Sequence, residues 1–235
     1  MRAMILAAGR GERMLPLTKE TPKPLLEVAG VTLLERHLQR LADAGFGEVV
    51  INVSHLAQQI VAFCEDGSRW GLSISISRER EPLETAGGIA HAQPLLKDEP
   101  FLVVNGDIYT DFPFERLKDL TPIEAGAHLE LVANPPHHPE GDFSLTGVAH
   151  NQVEPSAFGL SMASSGDAAL TYSGIGVFTP RMFEQVPEEI YPLRPMLERA
   201  CAEGLVTGQR YEGQWEDIGT PERLDALNQS LFIRS

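Results

Sequence analysis

The chain of 235 residues has little cysteine, few positive charges and no long apolar run. Its two cysteines, Cys64 and Cys201, lack the spacing of a metal site, and their apolar neighbours predict buried free thiols in a reducing compartment. No apolar run approaches the roughly 18 residues of a membrane-spanning helix, so we expect no membrane association. The first apolar stretch, residues 4–8, is too short for a signal peptide and arginines follow it, so we expect a cytoplasmic protein.

Positive charge is scarce but unevenly distributed. Lys and Arg number 19 and Asp and Glu number 33, which gives a net charge of −14. Because such a chain repels nucleic acid, we expect no nucleic-acid partner. Residues 1–25 nevertheless hold five bases and two acids, or 5 − 2 = +3. This clustering indicates either a local site for an anionic ligand or chance.

Strand and helix patterns alternate in the first half of the chain. The predicted strands span residues 3–8, 48–53, 72–77 and 101–104, and the predicted helices span residues 31–44, 56–63 and 85–96. This β-α-β order predicts a parallel, twisted sheet with helices on both faces. Ligands bind such sheets beyond the carboxyl ends of the strands, where residues 9–13 and 105–107 are expected to share one rim.

The second half is less regular. It predicts strands at residues 127–133 and 172–178, helices at residues 195–203 and 221–232, and no strong element between residues 156 and 171. No linker separates two independent units, so we predict one domain over residues 1–235.

A glycine-containing loop follows the first strand. Gly9 and Gly11 allow the backbone to turn sharply and to approach ligand oxygens. The loop is not a Walker loop, and Met14 stands where a dinucleotide fingerprint has its third glycine. A tight βα turn would explain it equally well, but Arg13 lies beside it and Lys23 follows between two prolines, which indicates anion contacts.

The segment LAAGRGERMLPLT followed by PKPL resembles the nucleotidyltransferases that join a nucleoside triphosphate to a sugar 1-phosphate. The resemblance covers nearly the whole chain. It implies a Rossmann-like, three-layer α/β/α fold with a central mixed, mostly parallel sheet, a nucleotide-binding part at about residues 1–110 and a sugar-binding part at about residues 111–235. By match, Arg13 and Lys23 are the predicted catalytic residues. The implied nucleotide-binding residues are Leu6, Ala8, Gly9, Gly11, Glu12, Arg13, Lys23, Leu83, Gly87 and Asp107.

The segment PLETAGG resembles the part of this family whose backbone reads the nucleobase. Taken alone, it is a loop that enters a helix, with Thr85 as a possible cap. Glu84 stands where many relatives have glycine, which leaves the identity of the base open.

Two acidic residues are implied as ligands of Mg²⁺. Asp107 follows the strand at residues 101–104 and is expected to bind the metal, although an Asx turn explains it on spacing alone. Asp217 lies in WEDIGTP, which resembles the family motif of the second ligand. Thr220 and Pro221 in that motif also read as the start of a helix.

The implied sugar-phosphate residues are Asn105, Glu140, Gly141, Tyr172 and Arg194. Many relatives carry a lysine before the strand of Tyr172 that holds the sugar phosphate, but residues 158–170 contain no lysine or arginine. Arg194 is our hypothesis for its replacement, with a surface arginine at a helix start as the equal alternative. The adjacent His137 and His138 are interpreted as a turn rather than a metal site.

The resemblance implies transfer of UMP from UTP to a sugar 1-phosphate, with N-acetylmuramic acid 1-phosphate as the expected acceptor in peptidoglycan recycling. One alternative is a guanylyl- or other nucleotidyltransferase that acts on mannose or heptose 1-phosphate. The other is a catalytically silent regulatory subunit that binds a nucleotide sugar. No apolar surface stripe demands a partner copy, so a monomer is the default expectation.

Overall fold

The computed structural model describes residues 1–122, 125–148, 158–163, 168–187 and 189–234. The strands in chain order are β1 (Arg2–Leu6), β2 (Glu27–Val28), β3 (Val31–Thr32), β4 (Glu48–Val53), β5 (Ser73–Arg78), β6 (Phe101–Asn105), β7 (Ile108–Thr110), β8 (Ala127–Val132), β9 (Phe143–Val148), β10 (Phe158–Met162), β11 (Ala169–Phe178), β12 (Val206–Arg210) and β13 (Trp215–Asp217). The α-helices are α1 (Leu33–Asp43), α2 (Ala57–Cys64), α3 (Glu84–Leu96), α4 (Arg194–Ala202) and α5 (Pro221–Arg234).

One nine-stranded sheet contains strands from both halves of the chain, in the order β5-β4-β1-β6-β11-β8-β12-β10-β9. β5, β4, β1 and β6 are parallel neighbours, as the alternating first half predicts. Among the described strands of this sheet, only β10 and β11 run against the common direction. The mixed, mostly parallel sheet implied by the family resemblance is therefore confirmed.

Apolar layers cover both faces of the sheet. Along β1, Ala3 and Ile5 face the layer of α1 and α2, whereas Met4 faces the layer of α3 and α4. This alternation is the period of two that a pleated strand imposes. The predicted three-layer α/β/α architecture is confirmed.

A third apolar cluster lies beyond the carboxyl ends of the strands. It joins Met14 of the glycine-containing loop, Val28 of the β2–β3 hairpin, Ile218 after β13 and Leu224 on α5. This packing ties the start of the chain to its last helix, and so it holds the two ends of the predicted site together.

Several element boundaries differ from the predictions for local reasons. The predicted helix at residues 31–44 begins at Leu33, because Thr32 caps it by accepting a hydrogen bond from the Glu35 N–H at 3.1 Å. The region between residues 156 and 171, predicted without a strong element, contains the strand Phe158–Met162; residues 156, 157 and 164–167 lie outside the described part. The predicted burial of Cys64 is confirmed, but Cys201 is partly exposed because it lies at the last turn of α4.

The described helices include none with the length and apolar character needed to cross a membrane. The division into a nucleotide-binding part and a sugar-binding part stays a prediction, as does the single domain.

Candidate active site

A cleft of about 660 Å³ opens where β1, β4 and β6 end. This position follows from the topology, since parallel strands present their carboxyl ends at one edge. Most of the predicted nucleotide-binding residues line it. They are Leu6, Ala8, Gly9, Gly11, Glu12, Arg13, Lys23 and Asp107, together with the predicted sugar residue Asn105.

The loop after β1 turns at Gly11, which has a φ of +64°. A Cβ atom there would lie 2.8 Å from Thr18 Cγ2, so any side chain would push the two segments apart. Thr18 Oγ1 donates a 2.8 Å hydrogen bond to the Gly11 carbonyl oxygen, and Glu12–Met14 then form a single 3₁₀ turn. Arg13 is exposed at the lip of the cleft as a result.

A relay of hydrogen bonds connects this loop to the start of α3. The Ala7 N–H donates to Asn52 Oδ1 at 2.8 Å, and Asn52 Nδ2 donates to Glu79 Oε1 at 2.7 Å. The Leu83 N–H donates to Glu79 Oε2 at 3.0 Å. Burial raises the pKa of Glu79, while these donors act in the opposite direction. The relay fixes the floor of the cleft between the two segments.

Lys23 lies at the start of the 3₁₀ turn Lys23–Leu25, directly after Pro22. Its side chain is 11% exposed and forms an ion pair with Asp107. The long aliphatic stem is therefore enclosed, and its ammonium group is directed at the carboxylate that follows β6. An enclosed ion pair of this kind has fewer orientations than two solvated side chains.

Two acids from distant parts of the sequence, Asp107 and Asp217, are adjacent along the backbone of a short strand pair. β7 and β13 form an antiparallel pair in which Asp217 is opposite Ile108, the residue after Asp107. The Ile218 N–H donates to the Asp107 carbonyl oxygen at 2.9 Å. The strand pair thus places the backbone of Asp217 next to that of Asp107, which lines the cleft.

Asp217 is enclosed by two basic side chains. Its Oδ2 pairs with Arg223 Nη1, and His137 Nε2 lies 2.9 Å from its Oδ1. Although His137 is within ion-pair distance, the buried Oδ1 accepts no hydrogen bond within the described part of the chain. An unpartnered, buried carboxylate oxygen is suited to accept a cation.

Comparison with known proteins places this geometry in a family. The sequence profile of the Nucleotidyl transferase family matches residues 2–232. The chain belongs to this nucleotidyl transferase family. An N-acetylmuramate alpha-1-phosphate uridylyltransferase of Neisseria meningitidis serogroup B is 48% identical over 229 residues, which cover 95% of each chain.

Two further proteins are similar to this nucleotidyl transferase at lower sequence identity. The mannose-1-phosphate guanylyltransferase catalytic subunit beta of Xenopus tropicalis is 32% identical over 94% of this chain and 62% of its own length. A crystal structure of UDP-glucose pyrophosphorylase complexed with UDP-glucose superimposes with a TM-score of 0.76 at 16% identity, over 100% of this chain and 99% of that chain. At that identity the likeness shows the shared fold.

The segment predicted to read the nucleobase lies only partly at the cleft. Glu84 and Thr85 line the cleft, whereas Leu83 and Gly87 are not among its lining residues. The Gly87 N–H donates a hydrogen bond to the Tyr191 carbonyl oxygen at 3.0 Å. The Tyr191 N–H in turn donates one to the Leu83 carbonyl oxygen at 2.9 Å. The backbone groups of these two residues are thus used to fasten the start of α3 to the chain before α4.

The predicted sugar residues lie around the β11 end of the site. Asn105 lines the cleft, and Gly174 of β11 leaves room for it, since a Cβ at Gly174 would lie 2.6 Å from Asn105 Cγ. The Tyr172 N–H donates to Asp142 Oδ2 at 2.9 Å. The Tyr172 hydroxyl is enclosed without a hydrogen-bond partner among the described residues, and its burial raises the pKa of the phenol.

Three predicted residues lie on the outer surface beside that end. Glu140 is exposed, and Gly141 has a φ of +67° in the turn that leads to β9. Arg194 has a 65% exposed side chain, and its Nε pairs with Glu198 Oε1 at 3.1 Å. Asp217 is likewise not a lining residue of the main cleft, because Arg223 and His137 enclose it. The roles predicted for all of these residues stay predictions.

Sequence reasoning missed four side chains of the site: Asn52, Glu79, His137 and Arg223. Asn52 could have been found, because a polar residue inside the apolar strand EVVINV needs a buried partner. The predicted turn at His137 is present, yet it delivers the imidazole to Asp217. No local pattern indicates that contact, since 80 residues separate the two positions in the sequence.

Proposed function

We propose that this protein transfers UMP from UTP to N-acetylmuramic acid 1-phosphate and releases pyrophosphate. The observation that carries nucleotidyl transfer is the Lys23–Asp107 ion pair at the end of a cleft lined by a glycine-containing loop, with Asp217 brought next to Asp107 along the backbone by the β7–β13 pair. The choice of UTP and of this acceptor is supported by the name of the relative that is 48% identical. The mannose-1-phosphate guanylyltransferase is a less similar relative at 32% identity.

The acceptor needs no general base. A phosphate monoester has a second pKa of about 6, so the attacking oxygen is anionic at neutral pH. This agrees with a cleft that is lined by no His, Cys or Ser among the described residues. The nucleophile forms a bond to the α-phosphorus of UTP while the bond to the pyrophosphate oxygen breaks.

Repulsion between the two anions is the main obstacle. Like unit charges about 4 Å apart repel by roughly 4 kcal/mol at an effective dielectric constant of about 20, and both substrates carry several charges. Lys23 and Arg13 would offset part of this repulsion and stabilise charge on the α-phosphate as the fifth oxygen approaches. Holding the two substrates in line lowers the barrier further.

The two acids fit a divalent cation. Mg²⁺ is bound in such sites through one or two carboxylates together with substrate phosphates and water, and Asp107 and Asp217 supply two carboxylates. The unpartnered Oδ1 of Asp217 supports the assignment. When bound, Mg²⁺ would neutralise phosphate charge and orient the α-phosphate. The chain would hold the ion through these two side chains, whose backbones are tied by the β7–β13 pair.

N-Acetylmuramic acid is a sugar of the bacterial cell wall. We therefore infer that the reaction returns this sugar to the nucleotide-sugar pool during peptidoglycan recycling. The two free cysteines agree with a reducing cytoplasm. UTP and the sugar 1-phosphate are the proposed partners.

The test measures pyrophosphate release with UTP, GTP, CTP and dTTP, each combined with a panel of sugar 1-phosphates. We expect the highest kcat/KM for UTP with N-acetylmuramic acid 1-phosphate. Preference for GTP with mannose or heptose 1-phosphate would replace this proposal with the guanylyl alternative. Binding of nucleotide sugars without turnover of any pair would indicate a regulatory subunit.

A further inference from the structure

A nucleotidyltransferase must hold the phosphate of its acceptor with positive charge, yet the stretch expected to supply it has none. Residues 158–170 contain no lysine or arginine. We infer that Arg223, in the first turn of α5, binds the phosphate of the sugar 1-phosphate. This inference rests on the proposed function, because it names a residue for the acceptor of that reaction.

One nitrogen of Arg223 is fixed by the protein. Nη1 pairs with Asp217 Oδ2, lies 3.3 Å from the Asp217 carbonyl oxygen and lies 3.0 Å from His137 Nε2. A guanidinium held in this way has lost most of its rotational freedom before a ligand arrives. The entropy cost of using it in binding is correspondingly small.

The other nitrogens of Arg223 are left for a ligand. Nη2 and Nε have no hydrogen-bond partner among the described residues, and the side chain is 22% exposed. Nη2 lies beside Gly219, a residue that lines the main cleft: a Cβ at Gly219 would lie 2.8 Å from Nη2. Because Gly219 has no side chain, nothing from this residue stands between the guanidinium and the cleft.

The location matches the chemistry of the step. Arg223 shares Asp217 with the proposed metal site, so it lies next to the place where the acceptor oxygen must approach the α-phosphate. Guanidinium groups bind phosphate with two parallel N–H donors, and the two nitrogens left free have that fork geometry. Asp217 also balances the charge of Arg223 before the acceptor binds.

Arg194 meets these requirements less well. Its side chain is three times as exposed, at 65% against 22%, and its Nε is already paired with Glu198. Nη1 of Arg194 is 3.9 Å from Asp142 Oδ1. Neither arginine is itself a lining residue of the main cleft, but the guanidinium of Arg223 lies against Gly219, which is one. A largely exposed arginine that is held by an exposed ion pair is less pre-organised for a phosphate than the more enclosed Arg223.

The test compares Arg223→Gln, Arg223→Lys and Arg194→Gln with the wild type, by steady-state kinetics with UTP and N-acetylmuramic acid 1-phosphate. We expect Arg223→Gln to raise the KM for the acceptor about 10- to 100-fold, with the KM for UTP changed less than about threefold. Arg223→Lys should raise the KM for the acceptor less than Arg223→Gln does. Arg210→Gln, an exposed arginine paired with Glu212, is the matched control and should leave both constants unchanged.

Two further measurements separate the alternatives. Calorimetric titration of Mn²⁺ into the UTP complex should give similar affinities for wild type and Arg223→Gln; a tenfold loss there would assign Arg223 to the metal site instead. N-Acetylglucosamine 1-phosphate, which lacks the lactyl carboxylate, is tested as an inhibitor. If Arg223→Gln weakens the binding of both sugar phosphates equally, Arg223 binds the phosphate. If it weakens only the binding of the muramic acid derivative, Arg223 binds the carboxylate and the inference is overturned.

The proposed function and this inference fail in different ways. An inactive wild-type enzyme with every substrate pair would remove the function. An active wild type whose acceptor KM is unchanged in Arg223→Gln, or raised only in Arg194→Gln, would overturn the inference and leave the function intact. Circular dichroism and thermal unfolding of each variant exclude loss of the fold as the cause.

Discussion

Lys23 shows how a single side chain is prepared for a charged ligand. Pro22 and Pro24 restrict the backbone around it, and the enclosed stem directs the ammonium group at Asp107. In the absence of substrates the two charges neutralise each other. In the proposed reaction, a metal ion would replace Lys23 as the partner of Asp107, and phosphate oxygens would replace Asp107 as the partner of Lys23.

Replacement of Lys23 by alanine should lower kcat about tenfold or more, because one positive charge near the reacting phosphates is lost. The fold should persist, since Asp107 keeps a 37% exposed side chain and can be solvated by water. Steady-state pyrophosphate release and thermal unfolding measure the two effects. Lys19→Ala removes an exposed lysine four residues away and is the control. Wild-type turnover in Lys23→Ala would remove this residue from the site.

The residues that were predictable from the sequence share one property: their local context is unusual. Lys23 lies between prolines, and Gly11 lies in a loop that a strand enters. Glu79 and Arg223 have ordinary neighbours, so only the fold shows that Glu79 connects Asn52 to Leu83 and that Arg223 contacts Asp217. Unlike Asn52, whose polar side chain is conspicuous inside an apolar strand, these two residues carry no local trace of their contacts with distant segments.

Helix α3 begins under backbone strain at the edge of the cleft. Glu84, its first residue, has a φ of +61°, in the left-handed region that costs a residue with a Cβ atom about 1 kcal/mol. By the family resemblance, many relatives carry glycine at this position. The conformation supplies the physical reason for that glycine.

Glu84→Gly should therefore raise the free energy of unfolding by up to about 1 kcal/mol relative to Glu84→Ala, which keeps the Cβ atom. For a chain of this size the difference corresponds to roughly 2–4 °C in melting temperature. Differential scanning calorimetry of the two variants measures it. Equal melting temperatures would show that the left-handed conformation at residue 84 carries no strain.

The elements that sequence reasoning missed are short or depend on a partner. β7 and β13 have three residues each, too few for a period of two to be recognised. β10 lies in a weakly patterned region, and its pairing with β9 and β12 is set by the sheet rather than by its own residues. By contrast, the strand at residues 48–53 was predicted with its observed bounds, because its apolar run is continuous and sits in the interior of the sheet.

At the scale of the whole molecule, the topology determines which acids can share an ion. Asp107 follows a strand of the first half, and Asp217 precedes the last helix. The β7–β13 pair and the apolar cluster around Met14 and Leu224 hold these two regions together. Asp107 and Asp217 lie in different halves of the chain, so the proposed pair of acids depends on contacts between the two halves.

If Asp107 and Asp217 bind one Mg²⁺, replacing either residue by asparagine should lower the affinity for the metal by a similar factor. We expect a loss of about tenfold or more in Mn²⁺ affinity for the UTP complex, measured by electron paramagnetic resonance, and a parallel loss of kcat. Chelation by EDTA should abolish wild-type turnover, and added Mg²⁺ should restore it. Asp225→Asn, at an exposed position on α5, is the control for charge alone. Weakened metal binding in only one of the two variants would contradict a shared ion, and full activity without metal would exclude the ion from the reaction.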